Sequence, residues 1–168
     1  MSVPFIVAGA VALVATAMVV TRANAVHALL YLVVSLLAVA VLFYEIGAPF
    51  VAALEVIIYA GAIMVIFVFV LMMLALGPRA VAEERGWLGA RTWVGPGVLA
   101  AVLAAELIYS LAVGARGASA TGFVEPKRVG QALFGGYYIG VELASFLLLA
   151  GVVGALHLAR AAEAKEAS

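Results

Sequence analysis

Five separate apolar runs, each near the length that crosses a lipid bilayer, constrain this chain more than any other feature. A helix needs about 20 residues to span a hydrocarbon core of about 30 Å. Such runs lie at residues 3–20, 27–46, 50–76, 93–113 and 133–158. The expected fold is an all-α integral membrane protein with five transmembrane helices and no soluble domain. Residues 1–168 then form a single membrane domain in contact with the lipid bilayer. The segments between the spans are short: a charged stretch from Arg79 to Arg91 and a Gly-, Ser- and Thr-rich one from Gly114 to Gln131. Asn24 stands where a cap for the second helix is needed. The tail from Arg160 to Ser168 reads as a frayed helix end. Ala23-Asn24-Ala25 has the look of a cleavage site, but no Lys or Arg precedes the first run, so that run is expected to be retained as a span.

Composition narrows the chemistry. The chain is 68% hydrophobic and 11% charged, against about 25% charged in soluble domains. With no Cys, thiolate-bound iron–sulfur clusters, zinc knuckles, disulfides and Cys nucleophiles are excluded. All nine acidic residues are Glu, and nine Lys and Arg balance them, which leaves no basic footprint for nucleic acid. The two His, His27 and His157, are isolated and suggest no metal site. Positive charge sets the expected orientation. Arg116, Lys127 and Arg128 fall on the amino-terminal side, whereas Arg22, Arg79, Arg85, Arg91, Arg160 and Lys165 fall on the other. The amino terminus is therefore expected outside and the carboxyl terminus in the cytoplasm. Trp87, Trp93 and Tyr44 suit interfacial anchoring.

Carboxylates inside spans are expensive and normally face protein or water. Glu55, Glu106 and Glu142 are placed in this way. Tyr59 follows Glu55 by one turn, Tyr109 and Ser110 follow Glu106, and Tyr138 and Ser145 flank Glu142, all at same-face spacing. For Glu55 and Glu142 a proton path and a hydrogen bond across a helix interface are equally open. For Glu106 the interfacial bond is favoured. The third run is long, about 27 residues or roughly 40 Å of helix, and contains Tyr59-Ala60-Gly61-Ala62. Small side chains around a Gly suit either close helix packing, which is favoured on physical grounds alone, or a π-bulge. Gly136, Gly140 and Ala144 form a small-residue ridge in the fifth run, which predicts tight packing on another helix.

The run Leu54-Glu55-Val56-Ile57-Ile58-Tyr59-Ala60-Gly61-Ala62-Ile63-Met64, continuing to Leu74, strongly resembles the third span of the subunit J family of bacterial NADH–quinone oxidoreductase. This family is the counterpart of chain 6 of mitochondrial complex I. Asn24 to Leu32, Glu84-Arg85 with Trp87, Trp93-Val94-Gly95-Pro96 and Val141-Glu142-Leu143-Ala144-Ser145 resemble other parts of the family in the same order. Family members often carry Pro at the position held here by Ala25. The resemblance implies a cofactor-free subunit of the proton-translocating enzyme in the bacterial inner membrane, beside subunits A, H and K. FMN, iron–sulfur clusters and quinone would be bound by other subunits. It further implies that Tyr59, Ala60, Gly61, Ala62 and Ile63 form a hinge between α-helix and π-bulge. Glu55, Tyr59 and Glu142 would then belong to a proton path, and Glu106 matches no acidic family position. Two other readings are a related subunit of a membrane-bound hydrogenase or cation antiporter complex, and a stand-alone channel or transporter.

Overall fold

The computed structural model describes residues 3–74, 90–116 and 122–166. Among them there is no strand, and five helices are long and apolar enough to cross a membrane. The expected span end at Gly77-Pro78, the charges Arg79 and Arg85, and Trp87 lie outside the described residues. The described residues fall into two compact units, one ending at Val124 and one beginning at Glu125.

In the first unit, α1 (Val3–Thr21) and α2 (Ala25–Glu45) form an antiparallel pair. Asn24 caps α2 as expected: its side-chain oxygen accepts from the Val26 and His27 amides at 2.9 and 3.1 Å. The pair closes on small side chains. Ala8, Val11 and Ala15 of α1 meet Val34, Ala38 and Val41 of α2, and Leu103 joins them from the fourth span. Alanines let the two backbones approach, which maximises dispersion where no hydrophobic effect between helices exists. Two hydroxyls pin the seam: Thr16 Oγ1 and Ser35 Oγ lie 2.7 Å apart, and Ser35 Oγ donates to the Ala12 carbonyl at 3.4 Å.

A glycine-dependent stop ends α2. Gly47 has φ +84°, a region that L side chains avoid. Its amide donates to the Tyr44 carbonyl at 3.0 Å, and the Ala48 amide donates to the Phe43 carbonyl at 2.9 Å. Both bonds satisfy carbonyls that a helix end would otherwise leave bare. The Gly47 carbonyl then accepts from the Val124 amide at 2.8 Å, and Phe123 lies against Tyr44 with ring centroids 6.3 Å apart.

The third span starts with Pro49 at the first helical position, where its missing amide costs nothing. It comprises α3 (Pro49–Leu54), a π-helical segment (Glu55–Ile63) and α4 (Met64–Leu74). The fourth span, α5 (Ala90–Arg116), is longer at both ends than its apolar run. In the second unit, helix also begins before the apolar run, with α6 (Pro126–Gln131). Its residues are polar, so hydropathy does not mark them, but Pro126 again stands at the first helical position behind an extended Glu125. A second π segment (Ala132–Gly136) and α7 (Tyr138–Glu166) complete the chain.

Helix α5 packs on α2 through a glycine. Tyr31 is buried in α2, with the Arg22 guanidinium carbon 5.6 Å from its ring centre. A β-carbon at Gly95 would collide with the Tyr31 hydroxyl, whereas one at Gly97 would meet open space. We expect Gly95→Ala to lower the thermal stability of the assembled protein by about 1–3 kcal/mol, the usual cost of overpacking. Gly97→Ala should leave it unchanged or raised. Thermal inactivation of the two variants in detergent checks this, and equal midpoints would contradict the Tyr31–Gly95 contact.

Candidate functional site

The third span carries the most unusual backbone of the first unit. In a π-helix each amide bonds five residues back instead of four. The ladder begins directly after the Glu55 amide, which donates to the Val51 and Ala52 carbonyls, and closes where the Met64 amide donates to those of Gly61 and Tyr59. The segment contains Glu55, Tyr59, Ala60, Gly61, Ala62 and Ile63. Its composition allows this. Gly61 has no β-carbon, and one added there would sit 3.1 Å from the Val56 carbonyl oxygen, five residues earlier. That is tight enough that the backbone would have to give way. Ala60 and Ala62 keep the same turn unobstructed.

The segment is exposed between two buried positions, with Ala52 buried shortly before it. Met64, just beyond it, is buried, whereas Tyr59 is 50% exposed and no residue of the segment is buried. Beside its start lies an apolar cleft of about 410 Å³, walled by Tyr44, Ala52, Ala53, Val56, Ala104 and Leu107. The third span thus has free volume on one side and an exposed Tyr59 ring. Return to a plain α-helix would change the register by one residue. That rotates one flank against the other by about 100°, the turn of a single residue at 3.6 per turn.

A second polar group lies between α2 and α5. Ser110 Oγ donates to Glu45 Oε1 at 2.6 Å. From spacing alone Ser110 pairs with Glu106 one turn earlier, but the structure hands its hydroxyl to the neighbouring helix. Glu45 ends α2 and carries no signal in the sequence beyond its position at a span terminus, so its part in this bond is visible only in three dimensions. Glu106 itself is buried, and the Ala8 backbone of α1, across the helix interface, is its nearest hydrogen-bonding neighbour.

Glu142 belongs to the second unit. It lies in the first turns of α7, one turn after Tyr138. Ser145 donates to the Val141 carbonyl at 3.0 Å rather than to Glu142. Gly140 and Ala144 are one turn apart on α7, while Gly136 falls in the π segment before it. The junction is Tyr137 (φ −111°, ψ 19°), whose amide donates to the Ala132 carbonyl five residues back at 3.0 Å. No group of three or more His, Asp, Glu or Cys side chains comes together among the described residues to hold a metal.

The chain is similar to known proteins over nearly its whole length. It is 54% identical to NADH-quinone oxidoreductase subunit J of Pseudomonas aeruginosa over 164 residues, covering 95% of this chain and 97% of the relative. It is 48% identical to subunit J of Escherichia coli strain K12 over 167 residues, covering 99% and 90%. For the more distant subunit J of Rhodobacter capsulatus the identity is 40%, covering 88% and 76%. The sequence profile of NADH-ubiquinone/plastoquinone oxidoreductase chain 6 matches residues 15–158. With a family profile matching residues 15–158 and identities of 40–54% over nearly the whole chain, the chain belongs to the NADH-ubiquinone/plastoquinone oxidoreductase chain 6 family.

Proposed function

We propose that this chain is a membrane-arm subunit of a proton-translocating NADH–quinone oxidoreductase, and that it couples quinone reduction to proton movement without a redox centre of its own. It acts as a single multi-pass membrane domain in a bacterial inner membrane, amino terminus outside, packed beside subunits A, H and K. FMN, iron–sulfur clusters and quinone reside on those and other subunits. The π segment at Glu55–Ile63 is the observation that carries the reading. Its ladder differs from an α-helix by one residue of register, so a small free-energy change at the quinone site converts one form to the other. Conversion swings Tyr59 relative to Glu55 and opens or closes a water path, and Glu142 is a further carboxylate of the proton path. Gly61 keeps the cost of conversion low because no β-carbon strikes the Val56 carbonyl. The apolar cleft beside Val56 receives the displaced side chains.

Two variants test the hinge and the relay separately. Gly61→Leu should leave the complex assembled while coupled NADH–quinone activity and proton uptake in membrane vesicles fall. A bias of about 1.4 kcal/mol against the π form lowers its population roughly tenfold, and unchanged rates would sink the hinge. Glu142→Gln should reduce proton uptake per turnover with assembly intact. If assembly alone falls, Glu142 is interfacial glue and not a relay. A blue-native gel stained for NADH dehydrogenase activity reports assembly in both cases.

A further inference from the structure

After the fourth span the chain returns to the turn between α2 and α3, and the contact it makes there is built from backbone on both sides. The Val124 amide donates to the Gly47 carbonyl at 2.8 Å. Gly47 has φ +84°, and a β-carbon on it would lie 2.9 Å from the Gly122 carbonyl oxygen. The two backbones therefore touch where neither glycine carries a side chain. Between Gly122 and Val124, Phe123 lays its ring against Tyr44, with centroids 6.3 Å apart and planes tilted by 42°. Tyr44 in turn walls the apolar cleft beside Pro49, Ala52 and Val56 of the third span. Gly122, Phe123 and Val124 thus form a strap over the end of α2 and the entry to the third span, all within the first unit.

This strap lies close to the π segment along the chain. The third span begins at Pro49, and the π segment follows after only the six residues of α3. A register change turns one flank of the π segment against the other, and the flank held less firmly is the one that moves. Six residues are less than two helical turns, too few to resist through their own hydrogen bonds. However, the Ala52 amide donates to the Ala48 carbonyl at 3.0 Å, so α3 is bonded directly to the turn that the strap holds. Helix α4 differs. From Val65 to Val70 its consecutive side chains are all exposed, so every face of α4 is open over that stretch. The π segment has one held flank and one free flank. We propose that the strap Gly122–Val124 anchors the third span, so that a register change at Glu55–Ile63 is delivered as rotation of α4 and is not lost in the α2–α3 turn. Gly47, Phe123 and Val124 are then positioning residues that act through the third span. The proposal rests on the hinge reading above and adds to it the direction in which the hinge works.

Hydrogen–deuterium exchange of the intact complex in mild detergent, at rest and during NADH–quinone turnover, tests the anchor directly, because amides of a fixed flank keep their protection. In the wild type, exchange should change on turnover in residues 55–63 and stay constant in residues 46–54. Val124→Pro removes the donated amide. In that variant residues 46–54 should gain exchange on turnover, and proton uptake per NADH oxidised should fall with the complex still assembled. If Val124→Pro does not assemble, Phe123→Ala is measured in the same way. Phe123→Tyr, which keeps a ring against Tyr44, should then restore the ratio of proton uptake to NADH oxidation. Turnover-dependent exchange in residues 46–54 of the wild type overturns the anchor alone, since the turn then moves with the hinge. Wild-type coupling in the assembled Val124→Pro or Phe123→Ala complex does the same. Exchange in residues 55–63 that ignores turnover overturns the hinge, and the anchor with it.

Discussion

Inside hydrocarbon no water is present to satisfy a peptide group, so every amide and carbonyl of a span must find its partner in the chain. Most features of this molecule follow from that demand. Asn24 supplies acceptors for the first free amides of α2, and Gly47 turns the chain so that two later amides reach back to its last carbonyls. The π segments respect the same demand with a different register, because an amide bonded five residues back is no less satisfied than one bonded four back. A span can therefore change its winding without exposing a bare peptide group. This makes a register change within the third span an affordable kind of motion at this depth.

Side-chain polar groups in the first unit divide into two kinds. Thr16 with Ser35, and Ser110 with Glu45, are paired across helix interfaces, as expected of groups that hold spans together. Glu106 is buried, with the backbone of Ala8 on α1 as its neighbour rather than another side chain. The alanine-rich seam between α1 and α2 and the Tyr31–Gly95 contact hold α1, α2 and α5 together. The third span, with Tyr59 half exposed and an apolar cleft at its side, is the less confined element of the same unit.

Much of this was legible in the residues. Hydropathy located five spans because bilayer thickness dictates their length, and the Asn24 cap followed from its side-chain oxygen. The glycine and alanines around Tyr59 marked the stretch where the π segment lies, although packing alone favoured a plain small-residue contact there. Other features were not legible. Helix α6 is too polar to register as part of a span. Ser110 stands at perfect same-face spacing from Glu106 yet bonds Glu45, because a partner on a neighbouring helix, set by how α2 and α5 cross, outcompetes one along the same helix. Glu45 offered only its place at a helix end.

By itself the sequence determined that the chain lies in a membrane, how many times it crosses, and which few acids and glycines break the apolar pattern. Those properties depend on residue type and on distances along one helix, which transfer energies and the 3.6-residue period dictate. Only the tertiary structure decided which carboxylate Ser110 bonds, which glycine receives a tyrosine hydroxyl, and that the third span winds as a π-helix. These depend on the small differences between competing hydrogen bonds and contacts across helices. Such differences arise only once two helices have been brought to a particular separation and rotation.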